Sequence, residues 1–189
     1  MRRKKIGTMN FHGSVDVIDP CYDRYVWCRM NDVKIKQGEY DCYIWRQTDK
    51  GEYEDKTPFE YKIVGIIGIY HNGYIPRQND MKEIGTIGVD AGMAGFSHNK
   101  PDYSDDEWHR FCERTSSGDT WITEDGFYSS SGYGDGEYGV FAYKQNGEIT
   151  ALEIRFFEGV MLWVKNCVSV GAHGNIVTVS AIIALQTLK

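Results

Sequence analysis

The sequence has no closely spaced cysteines and no surplus of positive charge. Its five cysteines include no Cys-x-x-Cys pair, which argues against a disulfide framework and against a structural zinc site. Acidic residues number 27 against 21 lysines and arginines, a formal net charge of −6, whereas proteins that bind long nucleic acids present a basic face. We therefore expect reduced thiols, a cytoplasmic location and no long nucleic acid as a partner.

Long apolar runs are also missing. The most apolar stretch, Ile176 to Leu188, is interrupted by threonine, serine and glutamine and is too short to span a bilayer. The basic run Arg2 to Lys5 is not followed by the apolar segment that a signal peptide requires, and we interpret it as a frayed terminus. The sequence predicts a soluble protein without a membrane partner.

Aromatic residues, in contrast, are abundant. They make up 14% of the chain and include 13 tyrosines, which favours strands and aromatic-lined clefts over helix bundles. A length of 189 residues suits a single domain, residues 1–189. Alternating and β-rich stretches predict strands at 14–18, 38–45, 61–70, 83–89, 136–143 and 148–157.

Two helices and one polar connection complete the predicted elements. Ser104 is followed three residues later by Glu107, a capping box that predicts the start of a helix. A second short helix is expected over Arg24 to Val33. The polar segment Arg46 to Pro58 is interpreted as a connection between strands.

A short motif is repeated along the chain. Gly-Glu-Tyr opens the strand at Gly38 and again the strand at Gly136, and aromatic residues follow at matching positions on one face. We interpret residues 12–75 and 83–157 as two similar β-rich halves related by a rough internal twofold. Residues 158–189 are interpreted as a C-terminal extension with an added strand. The predicted fold is α+β, predominantly antiparallel β, with short helices outside the sheets.

The second copy of the motif is the richer in glycine, with Gly132, Gly134 and Gly136 around Asp135. Neither a Walker loop nor a dinucleotide fingerprint fits, because both need a helix after the glycines and here a strand follows. The spacing of a calcium loop is absent as well. The backbone amides of residues 131–136 remain suited to an anion-binding nest.

Catalytic chemistry is left open by the sequence. Cys21 is the best candidate nucleophile, with His98 or His109 as a base, although an unpaired cysteine is more often a small buried hydrophobe. The aspartates that would form a Mg²⁺ or Ca²⁺ site by clustering in three dimensions are Asp16, Asp19, Asp90 and Asp135. Solvated turn carboxylates are the more common explanation, so we expect no metal or other cofactor and do not assign an enzymatic activity.

The favoured site is a pocket in which aromatic rings and loop carboxylates meet. Such a cleft stacks a flat ring on aromatic side chains and binds its polar edge with carboxylates and backbone amides. The candidate ligand-binding residues are Asp19, Cys21, Tyr22, Asp90, Gly92, Tyr133, Gly134, Asp135, Gly136 and Tyr138. Tyr103 and Tyr128 are expected to line the same cleft.

Three segments together resemble a known family. They are Asp19-Pro20-Cys21-Tyr22, Ile87-Gly88-Val89-Asp90-Ala91-Gly92 and Gly132-Tyr133-Gly134-Asp135-Gly136-Glu137-Tyr138, the last followed by Glu153-Ile154-Arg155-Phe156. In this order they are similar to a domain-of-unknown-function family of phage, mobile-element and bacterial proteins, over residues 12–157. The proline usual after the last tyrosine of the third segment is replaced by Gly139. The family carries no established catalytic residues, so the resemblance transfers none.

The resemblance implies a phage or mobile-element protein that captures a nucleotide-like signal in the host cytoplasm and so counters host defence. A metal-assisted hydrolase of a nucleotide-like substrate is one alternative. A protein–protein inhibitor or virion component is another, and a homo-oligomer is left open.

Overall fold

The structure, a computed structural model, describes residues 1–22, 26–98 and 103–156. The predicted C-terminal extension lies outside the described residues. Within these ranges the chain forms two antiparallel sheets and one α-helix. The strands are β1 (Arg2–Phe11), β2 (Ser14–Ile18), β3 (Arg29–Lys34), β4 (Gly38–Glu52), β5 (Pro58–His71), β6 (Lys82–Val89), β7 (Met93–Ser97), β8 (Thr120–Ile122), β9 (Gly126–Ser130), β10 (Gly136–Gln145) and β11 (Glu148–Arg155). The helix α1 spans Asp105–Thr115, and a 3-10 turn spans Gln78–Asp80.

The two sheets face each other across one main core. The larger has the order β1-β4-β5-β11-β10-β6 and the smaller the order β3-β2-β7-β9-β8, with antiparallel pairing throughout the described strands. Alternate residues of each strand point into the space between the sheets. Fully buried side chains there include Phe11, Tyr40, Ile67, Ile87 and Ile154 from the larger sheet and Val15, Val17, Phe96 and Phe127 from the smaller. The predominantly antiparallel β fold predicted from the sequence is confirmed.

The helix lies where the capping box predicts. The Ser104 hydroxyl accepts the backbone N–H of Glu107 at 3.4 Å, and the Glu107 carboxylate accepts the backbone N–H of Ser104 at 2.9 Å. Phe111, the buried residue of α1, packs edge-on against Tyr128 of β9 at a centroid distance of 5.4 Å. None of the helices in the described ranges is both long enough and apolar enough to cross a bilayer.

Three sequence interpretations are wrong. Arg2 to Lys5 is not a frayed end but part of β1, an edge strand that pairs with β4. Residues 29–33, assigned to the helix over Arg24 to Val33, belong instead to the edge strand β3. Residues 46–52, interpreted as a connection, continue β4 against β5, and Lys50 pairs with Glu60 across them at 2.8 Å. In each case charged side chains on a solvent-facing edge or arm hide the alternation that marks a strand.

The two edges of the larger sheet have similar pairings: the edge strand β1 pairs with β4, and the edge strand β6 pairs with β10. In β1, residues 7–11 pair with residues 38–42 of β4 and a bulge falls at Ile6. In β6, residues 85–89 pair with residues 136–140 of β10 and a bulge falls at Ile84. The bulges lie in matching sequences, Lys-x-Ile-Gly-Thr at 4–8 and at 82–86.

The repeated tyrosines have matching surroundings. Tyr40 donates to the carbonyl of Lys36 at 2.8 Å, and Tyr138 donates to the carbonyl of Gly134 at 2.9 Å, four residues upstream in both cases. Asp19 follows β2, whereas Asp90 follows β6, the strand paired with β10 as β1 is paired with β4.

Candidate functional site

Asp19 joins two loops through its side chain. It is fully buried, and its Oδ2 accepts the backbone N–H groups of Asp90 and Ala91, both at 2.9 Å. Its Oδ1 accepts the backbone N–H of Cys21 at 3.0 Å. Both oxygens are therefore occupied by the protein's own amides, which gives this candidate residue a structural role in holding the loops together.

The glycine-rich loop, residues 131–135, is hydrogen-bonded to the loop at residues 90–92. Asp135 Oδ1 accepts the backbone N–H of Gly92 at 3.0 Å, and the Ser131 N–H donates to the Gly92 carbonyl at 2.9 Å. The Ser131 hydroxyl donates to the carbonyl of Gly134 at 2.5 Å. The structure thus brings together loops 19–22, 90–92 and 131–135, and we call this meeting point the three-loop junction.

Two glycines of this loop, Gly132 and Gly134, both have positive φ but differ in the space around them. Gly132 has φ +71°, and a Cβ there would lie 2.1 Å from the carbonyl oxygen of Val64, so a side chain does not fit. Gly134 has φ +89° but open space around it. Among the described residues, the N–H groups of Gly134 and Asp135 donate no hydrogen bond. These two amides are the part of the predicted nest that no acceptor of the described residues occupies.

Tyr22 lies beside Asp90 at the junction. Its hydroxyl donates to Asp90 Oδ2, and this hydrogen bond is the main reason that the pKa of Tyr22 rises to about 12. Arg29 turns inward, donating to the Tyr22 carbonyl at 3.2 Å and pairing with the buried carboxylate of Asp16 at 3.1 Å. Asp16 is therefore engaged in a separate ion pair and does not join the junction carboxylates.

The sequence interpretation missed Trp27. The Trp27 carbonyl accepts the backbone N–H of Gly88 at 3.1 Å, and its indole lies directly over that glycine, where a Cβ would come within 1.9 Å of two ring carbons. The residue is nevertheless 62% exposed. We call this arrangement, the Trp27 ring held on Gly88, the Trp27 platform. A glycine inside a strand signals close approach, so Gly88 was the clue available in the sequence.

Carboxylates frame the Trp27 platform. Gly88 pairs with Glu137 across β6 and β10, so both lie on the sheet face opposite the core. Asp90 is two residues beyond Gly88, and Asp135 two residues before Glu137, each about 7 Å further along its chain. Thr86 donates to Glu137 at 2.6 Å. Across the described ranges, no ion pair neutralises Asp90, Asp135 or Glu137.

The predicted tyrosine cleft does not form. Tyr138 is 1% exposed and packs edge-on against Phe156 in the core, at 5.1 Å between ring centroids. Tyr103 and Tyr128 pack around Phe111 on the helix side. Tyr133 is exposed at the junction, where its hydroxyl accepts a hydrogen bond from Gln47 at 2.9 Å. Only Tyr22 and Tyr133 of the expected rings remain at the surface of the junction.

The segment Glu153-Ile154-Arg155-Phe156, which follows the three segments of the resemblance, lies away from the junction. Glu153 and Arg155 are buried, pair at 2.9 Å, and face the outer side of β11, where Tyr70 donates to Glu153 at 2.6 Å. Burial is the main reason that the pKa of Tyr70 lies well above its usual range. This group anchors the sheet's outer face and adds no side chain to the junction.

Nucleophilic chemistry finds little support in the geometry. Burial, followed by the nearby Asp19 carboxylate, raises the pKa of the Cys21 thiol to about 12, which keeps it protonated at neutral pH. His98 lies against Phe11 and His12, and His109 is exposed on α1. The four described cysteines are free thiols, as predicted, with two of them buried; Cys167 lies outside the described residues. No group of three or more histidine, cysteine, aspartate or glutamate side chains in the described ranges is arranged to hold a metal ion.

Comparisons with known proteins identify no relative of this chain. No family model matches the chain, and the searches of curated proteins and of solved structures give no significant match. The resemblance seen in the sequence therefore stays a prediction, and the functional argument depends on the geometry of the junction and the Trp27 platform.

Proposed function

We propose that this protein binds a small ligand by stacking the ligand's flat ring on the Trp27 platform. The observation that carries the proposal is a tryptophan held against a glycine while 62% of its surface stays exposed. Leaving a large aromatic side chain in water forfeits the free energy of its burial. Ring stacking on the exposed indole recovers part of that free energy and is worth about 1–3 kcal/mol for a nucleobase.

The polar surroundings suit a ring that carries hydrogen-bond donors. Asp90, two residues beyond Gly88, and Glu137, paired with Gly88 across the strands, are exposed acceptors, and each already accepts one neutral hydroxyl, from Tyr22 and from Thr86. Aspartate and glutamate pair with the amino groups of bases in this way. A nucleoside or nucleotide-like molecule fits this combination of stacking and donor recognition.

We further infer that the two halves are related by an internal twofold and that the site lies at the paired end of β6 and β10 and not at the corresponding end of β1 and β4. The similar strand pairings, bulges and tyrosine hydrogen bonds support this relationship. By strand pairing, Gly88 of β6 and Glu137 of β10 correspond to Asn10 of β1 and Glu39 of β4. A side chain at Asn10 prevents an aromatic ring from lying directly on the strand, as Trp27 does on Gly88. The strands β1 and β4 therefore supply matched control positions.

Binding without turnover is favoured over the hydrolase alternative. The buried Asp19 carboxylate is satisfied by three backbone amides, and the Cys21 thiol is protonated at neutral pH. The role that we propose is capture of the ligand, and the resemblance to phage proteins supports capture of a nucleotide-like signal that serves host defence. An unchanged ligand recovered in stoichiometric amount is the expected signature of this role.

The test is recovery of small molecules from the purified protein. The full chain is incubated with bacterial lysate, repurified and denatured, and the released molecules are identified by mass spectrometry. We expect a heteroaromatic compound from the native protein and from Asn10→Ala, and its loss from Trp27→Ala. Recovery of equal amounts from Trp27→Ala would overturn the proposal, and a chemically altered product would support the hydrolase instead.

A further inference from the structure

The charge around the Trp27 platform narrows the class of ligand, an inference that depends on the proposed function. Asp90, Asp135 and Glu137 lie on the exposed side of the β6–β10 end. Each accepts a hydrogen bond from a neutral group: the Tyr22 hydroxyl, the Gly92 amide and the Thr86 hydroxyl. These donors orient the carboxylates but leave their charge uncompensated.

Cationic side chains of the neighbouring elements are directed elsewhere. Arg29, which is closest in the chain to Trp27, is paired with Asp16 and has a side chain only 5% exposed. On β6 the basic residue is Lys82, six positions from Gly88 and so about 20 Å along the strand. In the described part of these elements, carboxylates lie near the exposed indole and no lysine or arginine forms an ion pair with them.

We propose that the Trp27 platform selects a positively charged heteroaromatic ring, such as a pyridinium or an N7-alkylated purine, carried on a nucleoside. The face of an indole attracts a cation through its quadrupole, and carboxylates at its border add to the attraction. A neutral ring gains only the stacking. A phosphate on the same ligand is repelled by the carboxylates, so the discrimination includes an unfavourable element as well as a favourable one.

A matched series of ligands tests the role of charge. Nicotinamide is neutral, and 1-methylnicotinamide has the same ring with a permanent positive charge. Nicotinamide riboside carries the cationic ring on a nucleoside, and nicotinamide mononucleotide adds a phosphate to that nucleoside. Dissociation constants are measured by calorimetry with the full chain. We expect 1-methylnicotinamide to bind at least about tenfold more tightly than nicotinamide. We expect the mononucleotide to bind more weakly than nicotinamide riboside.

Variants identify the source of the preference. In Asp90→Asn, Asp135→Asn and Glu137→Gln combined, the preference for the cationic ring should fall towards unity while nicotinamide affinity stays the same. The matched change in the first half, Glu39→Gln, should leave the preference intact. Added salt should reduce the preference of the native protein, because exposed charges are screened.

Each outcome separates this inference from the proposed function. Equal affinity for the neutral and cationic rings, both lost in Trp27→Ala, overturns the charge selection and leaves ring stacking in place. Preference for the cation that survives the triple variant also overturns it. Absence of binding by either ring at about 10 mM, a concentration at which even interactions near 3 kcal/mol are visible, overturns the inference regardless of what lysate supplies.

Discussion

Gly88 offers a way to remove the Trp27 platform while leaving both the tryptophan and the fold in place. An alanine Cβ at this position would lie 1.9 Å from two carbons of the Trp27 ring, so the indole must move off the strand. The backbone at Gly88 is ordinary strand and accepts an alanine, which intrinsically favours folding over glycine by roughly 0.5–1 kcal/mol. The opposing cost is the Gly88–Trp27 hydrogen bond, about 1 kcal/mol if it is lost.

These two terms nearly cancel, so Gly88→Ala should change the free energy of unfolding by about 1 kcal/mol or less. Ligand affinity should respond much more strongly. Loss of ring stacking worth about 1–3 kcal/mol corresponds to a roughly 5- to 150-fold weaker dissociation constant. Calorimetric titration measures the affinity, and urea denaturation followed by circular dichroism measures the stability. Tryptophan fluorescence should show Trp27 in a new environment.

The control is Asn10→Ala, at the position of β1 that corresponds to Gly88 of β6 under the proposed internal twofold. This change should leave ligand affinity unaltered. The reasoning fails if Gly88→Ala binds as tightly as the native protein while its fluorescence shows that the indole has moved. It fails also if the variant unfolds, because then Gly88 serves the fold and not a site.

Other predictions concern the junction and its thiols. Asp19→Asn should lower the free energy of unfolding by about 3 kcal/mol in urea titrations, because one of the two acceptor oxygens becomes an NH2 group facing a backbone N–H and the charge that strengthens the remaining hydrogen bonds is lost; a loss below about 1 kcal/mol would contradict that role. Gly132→Ala should destabilise more than Gly134→Ala, since both have positive φ but only Gly132 faces a carbonyl at 2.1 Å, and equal melting temperatures would contradict this. At mildly alkaline pH, iodoacetamide should label exposed Cys112 in the folded protein while Cys21, with its pKa of about 12, stays unlabelled until the protein is unfolded.

Local signals in the sequence predicted the elements that local interactions stabilise. The capping box of Ser104 and Glu107 placed the helix start correctly, because both hydrogen bonds join residues three apart. The strand at 14–18 was predicted with its observed bounds. The hairpin of β10 and β11 was likewise expected from its turn residues, since Asn146 and Gly147 supply the positive φ values that such a turn needs.

Features that depend on distant contacts escaped the sequence interpretation. β1 begins with four consecutive basic residues, and only its pairing with β4 makes a strand of them. Trp27 acquires its position from Gly88, which is 61 positions away in the chain. The convergence of the three loops was predicted from the sequence. Which tyrosines line the junction was not, because the sequence alone does not distinguish a buried tyrosine such as Tyr138 from an exposed one such as Tyr133.

Under the proposed internal twofold, the differences between the β1–β4 end and the β6–β10 end of the larger sheet argue that the junction serves a purpose other than folding. Positions that define the sheet are the same in both: the bulged Lys-x-Ile-Gly-Thr segment and the tyrosine that bonds to a carbonyl four residues upstream. Positions at the ends of the paired strands differ, with Asn10 against Gly88 and His12 and Gln37 against Asp90 and Asp135. The pairing of β1 with β4 shows that such strands do not need a glycine or these carboxylates there. At the end of β6 and β10 they lie together with the exposed indole of Trp27, as ligand recognition requires: a flat ring needs a surface on which to stack, and charge selection needs carboxylates without an ion pair, as these are within the described ranges.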